Sequence, residues 1–133
     1  EKIQFRGKVD RSDVLAEMLR CHVFLQTSMR DLTSTVLVEA LASGLPVLSF
    51  PFGGFRDIVN SENGILLEAK NYRQMVVSLA EGITFMHNNE DLRINMAQQA
   101  LVDAKEFSWE SKSEIFFKIY NDLIVLKQDR RSK

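Results

Sequence analysis

At 133 residues, 45% of them hydrophobic and 26% charged, the chain has the size and composition of one globular domain with a core of its own. A net charge of −1 and a pI near 6.2 leave no basic footprint for nucleic acid, and no apolar run approaches the roughly 20 residues of a membrane span. One cysteine, Cys21, excludes an internal disulfide and fits a reducing, cytoplasmic compartment, and with two unclustered histidines it gives no metal-ligand spacing.

The chain opens without a methionine, straight into the strand-like alternation Ile3–Phe5, and reads as a piece of a longer protein. A loop, Gly7-Lys-Val9-Asp10, follows. Ser12 as N-cap and Asp13 in the first turn predict a helix to about Cys21, with Val14, Leu15, Met18 and Leu19 on its apolar face. His22–Gln26 reads as a strand. Thr35–Ser43 reads as a short helix that Gly44 ends in a left-handed conformation. Val47–Phe50, apolar apart from Ser49, reads as a strand covered on both faces.

Pro51-Phe-Gly53-Gly54 is a turn, with a short helix expected over 55–59. Ser61-Glu-Asn63-Gly64 is a second turn, and Ile65–Leu67 the last strand. Asn71 with Gln74 suggests a capping box. The helix it starts carries Met75, Val76, Leu79, Ala80, Ile83 and Met86 at helical spacing. Another helix is expected from about Glu90 to Lys105. Ser108 caps a final one striped by Ile115, Phe116, Ile119, Tyr120, Leu123 and Ile124. Cys21, His22, Phe107 and Trp109 read as packing residues, and the charged end from Lys127 as a solvated tail.

Strand, loop, helix and strand over 22–50 make a parallel βαβ unit. The pattern predicts an α/β fold, a Rossmann-like three-layer parallel sheet, in one domain over 1–133. Within the central helix, Glu39 is the only polar residue between Val36 and Ala42. A carboxylate on an apolar helix is costly to desolvate unless something donates hydrogen bonds to it. A ligand would do so, and so would a neighbouring arginine or backbone group. The loop 28–34 leaves the carboxyl end of the first strand of the βαβ unit, where open α/β sheets bind ligands. Thr33, Ser34 and Thr35 begin a helix whose free N–H groups suit a phosphate. Glu39 lies about 6 Å further along the axis, at 1.5 Å per residue. That offset is comparable to the gap between a nucleotide's pyrophosphate and its ribose hydroxyls.

The ordered set Asp31, Glu39-Ala, Gly44-Leu-Pro46-Val47, Gly53-Gly54 and Asn63-Gly64 resembles the donor-binding domain of retaining family-4 (group 1) glycosyltransferases. The resemblance runs from Phe5-x-Gly7-x-Val9 to Phe107-Ser-Trp109 and Ile119-Tyr120. It implies the C-terminal half of a GT-B fold, truncated at its N-terminal strands and lacking the N-terminal acceptor-binding domain. The implied reaction moves a sugar from a nucleoside-diphosphate donor to a hydroxyl of an acceptor glycan or glycolipid, with retention. No cofactor or metal is implied. The longer protein would be cytoplasmic, with peripheral contact at the inner face of the membrane as an option.

Carried over by residue, the resemblance implies that Asp31 and Glu39 are the paired acids. Asp31 would contact donor-sugar hydroxyls and Glu39 the ribose diol. Ser34, Thr35 and Val36 would hold the diphosphate at the helix start, and Gly7 and Val9 would line the base. There are three departures from the family pattern: Asp31 and Asp57 stand where Glu is usual, and Leu32-Thr33-Ser34 replaces a Gly-rich segment. Isolated from its other half, the chain is expected to fold and bind a donor weakly without turning it over. The rival readings are a nucleotide-sugar epimerase on a similar fold and a non-catalytic Rossmann-like binding module.

Overall fold

The structure is a computed structural model that describes residues 3–30 and 35–131, with side-chain surroundings given as far as residue 127. The described helices are α1 (Arg11–Met18), α2 (Thr35–Ala42), α3 (Tyr72–Asn88), α4 (Glu90–Asp103) and α5 (Trp109–Arg131). The strands are β1 (Phe24–Gln26), β2 (Val47–Ser49) and β3 (Gly64–Leu66), in the order β1-β2-β3 and parallel throughout. Phe24 lies opposite Val47 and Val47 opposite Gly64.

Alternation along these strands builds two cores. Phe24, Val47 and Leu66 point to one face, where they meet Met18 of α1, Leu37, Ala40 and Leu41 of α2, and Ala100 of α4. Leu48 and Ile65 point to the other, against Phe50, Leu67 and, from α3, Met75 and Leu79. The α/β, three-layer, parallel architecture read from the sequence is the one observed. Gly82 lets α3 close on the sheet, since a Cβ there would stand 2.9 Å from Leu67 and 3.0 Å from Leu48.

Helix α2 follows from its pattern. Leu37, Ala40 and Leu41, at i, i+3 and i+4, are fully buried, each leucine contributing about 1.5–3 kcal/mol of burial. The helix closes in a Schellman motif: Leu45 N–H donates to Ala40 O, Gly44 N–H donates to Leu41 O, and Gly44 has φ 71°. An added Cβ at Gly44 would touch Leu101 at an ordinary 3.4 Å, so the cost of Gly44→Ala is backbone strain. We expect it to lower stability by about 1–2 kcal/mol, read as a lower urea midpoint. An unchanged midpoint would refute the left-handed cap.

Several expected elements differ in detail. Residues 3–5 form no strand, and Ile3 and Phe5 are exposed. A strand exists through its partner's hydrogen bonds, and β1 pairs only with β2 among the described strands. Helix α1 stops at Met18, its N-cap is Asp10 rather than Ser12, and Leu19 is exposed. Cys21 and His22 then lie exposed in the link to β1 rather than packed. The turn after β2 is a 3-10 helix, Gly53–Asp57, that buries Phe55.

Ahead of α3, Asn71 caps Gln74 N–H at 3.0 Å, but Gln74 Oε1 accepts from Lys70 N–H rather than completing the box at Asn71. Helix α4 ends at Asp103 and continues as a 3-10 turn over Ala104–Phe107. Ser108 caps the last helix by accepting from Ser111 N–H at 3.2 Å. The stripe from Ile115 to Ile124 is exposed, as is Trp109 at 85%. Periodicity predicts α5, and its apolar stripe faces solvent. No described helix is long and apolar enough to cross a membrane.

Candidate functional site

Strand β1 ends at Gln26, and the chain leaves the carboxyl end of the sheet through Thr27–Arg30 before re-entering at Thr35, the first residue of α2. Asp31 and Ser34, expected to contact sugar and phosphate, lie outside the described residues. Thr35 is exposed, and Val36 is half-buried against the core beneath α2. At the neighbouring strand end, Gly53 takes φ 53° in the turn after β2. Phe52 there spans both cores, its ring 6.0 Å from that of Phe50.

Glu39 sits one turn into α2, its side chain 26% exposed. Its Oε1 accepts from Nη2 of Arg11 at 2.5 Å, and the Arg11 side chain is 77% exposed. The donor that an acid on an apolar helix demands is therefore supplied, at least at one oxygen, by an arginine. Among the described residues Oε2 has no partner. The backbone carbonyl of Glu39 accepts from Ser43 Oγ at 2.8 Å, a bond that closes the last turn and leaves the carboxylate aside.

Arg11 is the first residue of α1 and follows the loop that contains Gly7 and Val9. Gly7 takes φ 65°, which favours glycine, although a Cβ there would meet nothing within 4 Å. Val9 is half-buried and lines a shallow hollow of about 270 Å3 with Val14, Met18, Phe24 and Leu45. Through Arg11 the structure ties the start of α1, just after the Gly7–Val9 loop, to the flank of α2. Arg11 and Glu39 thus meet across 28 residues of chain, with Val9 two residues before Arg11. Sequence reasoning missed Arg11, because nothing local to an exposed helix-start arginine ties it to a carboxylate so far along.

A larger cavity of about 400 Å3 opens on the opposite face of the sheet, lined by His22, Leu25, Leu48, Met86, His87 and Arg93 among others. It contains none of the expected site residues. Arg93 is committed there, donating to Met86 O at 2.8 Å and pairing with Glu90 at 3.3 Å.

The Asn63-Gly64 turn has a structural role at the other end of the strands. Asn63 is fully buried; its Nδ2 donates to Ile58 O at 3.0 Å and to Asp103 Oδ2 at 2.8 Å, and its Oδ1 accepts from Asn60 N–H at 2.9 Å. Asp103 also accepts from Asn60 Nδ2 and Gln99 Nε2, clasping α4 to the turn. We expect Asp103→Ala to cost about 1–3 kcal/mol in urea unfolding, since it strands the buried Asn63 donor. A midpoint equal to that of the unaltered chain would show that the clasp is dispensable.

Comparison with known proteins adds a frame to this geometry. Residues 1–102 match the family described as Glycosyl transferases group 1. An uncharacterized glycosyltransferase of Methanocaldococcus jannaschii is 30% identical over 122 residues, 91% of this chain and 34% of that protein. The D-inositol 3-phosphate glycosyltransferase of Corynebacterium glutamicum is 25% identical over 126 residues, 94% of this chain and 29% of that one. Among solved structures, the sucrose-phosphate synthase of Thermosynechococcus elongatus superposes with a TM-score of 0.75 at 20% identity. That match covers 92% of this chain and 30% of the synthase, and it is a likeness of fold. The chain spans about a third of the length of the curated relatives it matches.

Proposed function

The chain belongs to the group 1 glycosyl transferases, and on that footing we propose that it is the donor-binding half of a retaining, two-domain GT-B enzyme. The reaction is transfer of a sugar from a nucleoside diphosphate to a hydroxyl of a glycan or glycolipid acceptor. The observation that carries the reading is Glu39. It lies one turn inside the helix that starts at the carboxyl end of β1, partly exposed, and bonded to Arg11, which follows the loop of Gly7 and Val9.

In this reading the roles follow the chemistry. The leaving diphosphate gathers negative charge as the glycosidic bond breaks. Oriented N–H groups at the start of α2, from Thr35 and Val36 with Ser34, answer that charge. Glu39 accepts the ribose hydroxyls, Asp31 those of the transferred sugar, and Gly7 and Val9 line the base. The nucleotide sugar is a substrate, and no cofactor or metal enters the proposal. The acceptor contacts come from a further domain of a longer, cytoplasmic protein.

Titration of the chain with uridine, guanosine and adenosine diphosphates, followed by NMR, tests this. One base should bind in preference to the others, with shifts that include the α2 residues, and no sugar should be released from the matching nucleotide sugar. Binding of none of the three would overturn the reading. Turnover by this chain alone would overturn the assignment of acceptor contacts to another domain. In a longer protein, donor binding without transfer to any hydroxyl acceptor would favour the non-catalytic module.

A further inference from the structure

We propose that Arg11 is a positioning residue of the donor site, holding the Glu39 carboxylate in the one orientation that offers its second oxygen to a ribose diol. The inference rests on the reading of α2 as a nucleotide-sugar site and deepens it. Arg11 reaches Glu39 with a single guanidinium nitrogen and engages only Oε1. A carboxylate has two oxygens and about four acceptor positions. With one of them fixed by Arg11, Oε2 and the remaining lone pair of Oε1 face the task of accepting two hydroxyls.

Arg11 meets the acid's need for a donor, but folding stability alone gives little further reason for the pair. Arg11 is 77% exposed, and exposed ion pairs contribute little to folding. Orientation does give one. Glu39 has three side-chain torsions and no other side-chain partner among the described residues, so without Arg11 its carboxylate spreads over several rotamers. Affinity then falls in proportion to the fraction of time spent in the productive one. The position of Arg11 adds a second consequence. It stands two residues after Val9, at the end of the loop whose turn Gly7 sets with φ 65°. Whatever moves that loop to receive a base also moves the group that aims the ribose acid, so base and ribose recognition are coupled.

The test compares the preferred nucleoside diphosphate with its 2′,3′-dideoxy analogue, binding each to the unaltered chain, Arg11→Ala, Arg11→Lys and Glu39→Ala. Arg11→Ala should weaken the ribonucleotide about tenfold, taking the productive rotamer as roughly one in ten when unrestrained. It should leave the dideoxy analogue unchanged, and Arg11→Lys should recover part of the loss. Equal weakening of both nucleotides would overturn the inference, since Arg11 would then touch phosphate or base itself. Tighter ribonucleotide binding would overturn it too, marking Arg11 as a competitor for the acid. If Glu39→Ala weakens binding while Arg11→Ala does not, Arg11 has no such role and the site stands. If Glu39→Ala binds both nucleotides as the unaltered chain does, the site reading itself falls.

Discussion

Gly64→Ala should cost about 3 kcal/mol or more, a large share of the stability of a domain this size. Gly64 opens β3 opposite Val47, and a Cβ built on it stands 2.3 Å from the Val47 carbonyl oxygen and 2.9 Å from Val59 Cγ1. No rotamer change relieves the first contact, because the obstacle is backbone. Moving it would pull on Val47 N–H, which donates to Asn63 O at 3.1 Å, and on the Leu67 N–H to Ser49 O bond at 2.7 Å. It would also disturb the turn that buries Asn63. The overlap must therefore be taken up by parting β2 from β3 at the centre of both cores. Urea unfolding with an unchanged slope and a sharply lower midpoint is the expected result. A loss under about 0.5 kcal/mol would mean that the strands do not approach this closely.

Glu39→Ala should act in the opposite manner, leaving folding nearly untouched and weakening nucleoside-diphosphate binding roughly ten- to a hundredfold. The side chain is partly exposed and its partner mostly so, which makes the pair worth little to stability. Alanine is also the better helix former. Binding is another matter. Hydrogen bonds to a charged acceptor are worth about 1.5–3 kcal/mol, and each 1.4 kcal/mol is tenfold in affinity. Calorimetry or NMR titration beside a urea curve separates the two effects. A variant that unfolds early but binds normally once folded would identify Glu39 as a structural carboxylate, held by Arg11 and nothing more.

Much of this molecule was legible locally. Helix α2 and its left-handed Gly44 follow from apolar spacing and one glycine, and the Ser108 cap follows from a short-range pattern. The same holds for β2, where a run apolar apart from Ser49 meets burial on both faces. What failed, failed where a partner decides. Ile3–Phe5 alternates like a strand and has no strand beside it among the described residues. Cys21 and Trp109 have the chemistry of core residues and lie at the surface. Asn71 and Gln74 have the right spacing for a reciprocal cap, and the backbone offered Lys70 N–H instead.

Glu39 marks the boundary between the two kinds of knowledge. That an acid on an apolar helix needs a donor is dictated by the cost of desolvation, which local sequence carries in full. That the donor in hand is Arg11, with Val9 two residues before it, depends on how α1 docks against α2, and no spacing along the chain encodes that distance. Gly64 and the Asn63–Asp103 clasp belong to the same side. They join residues 17 and 40 places apart, Val47 to Gly64 and Asn63 to Asp103, and only packing brings such segments into contact.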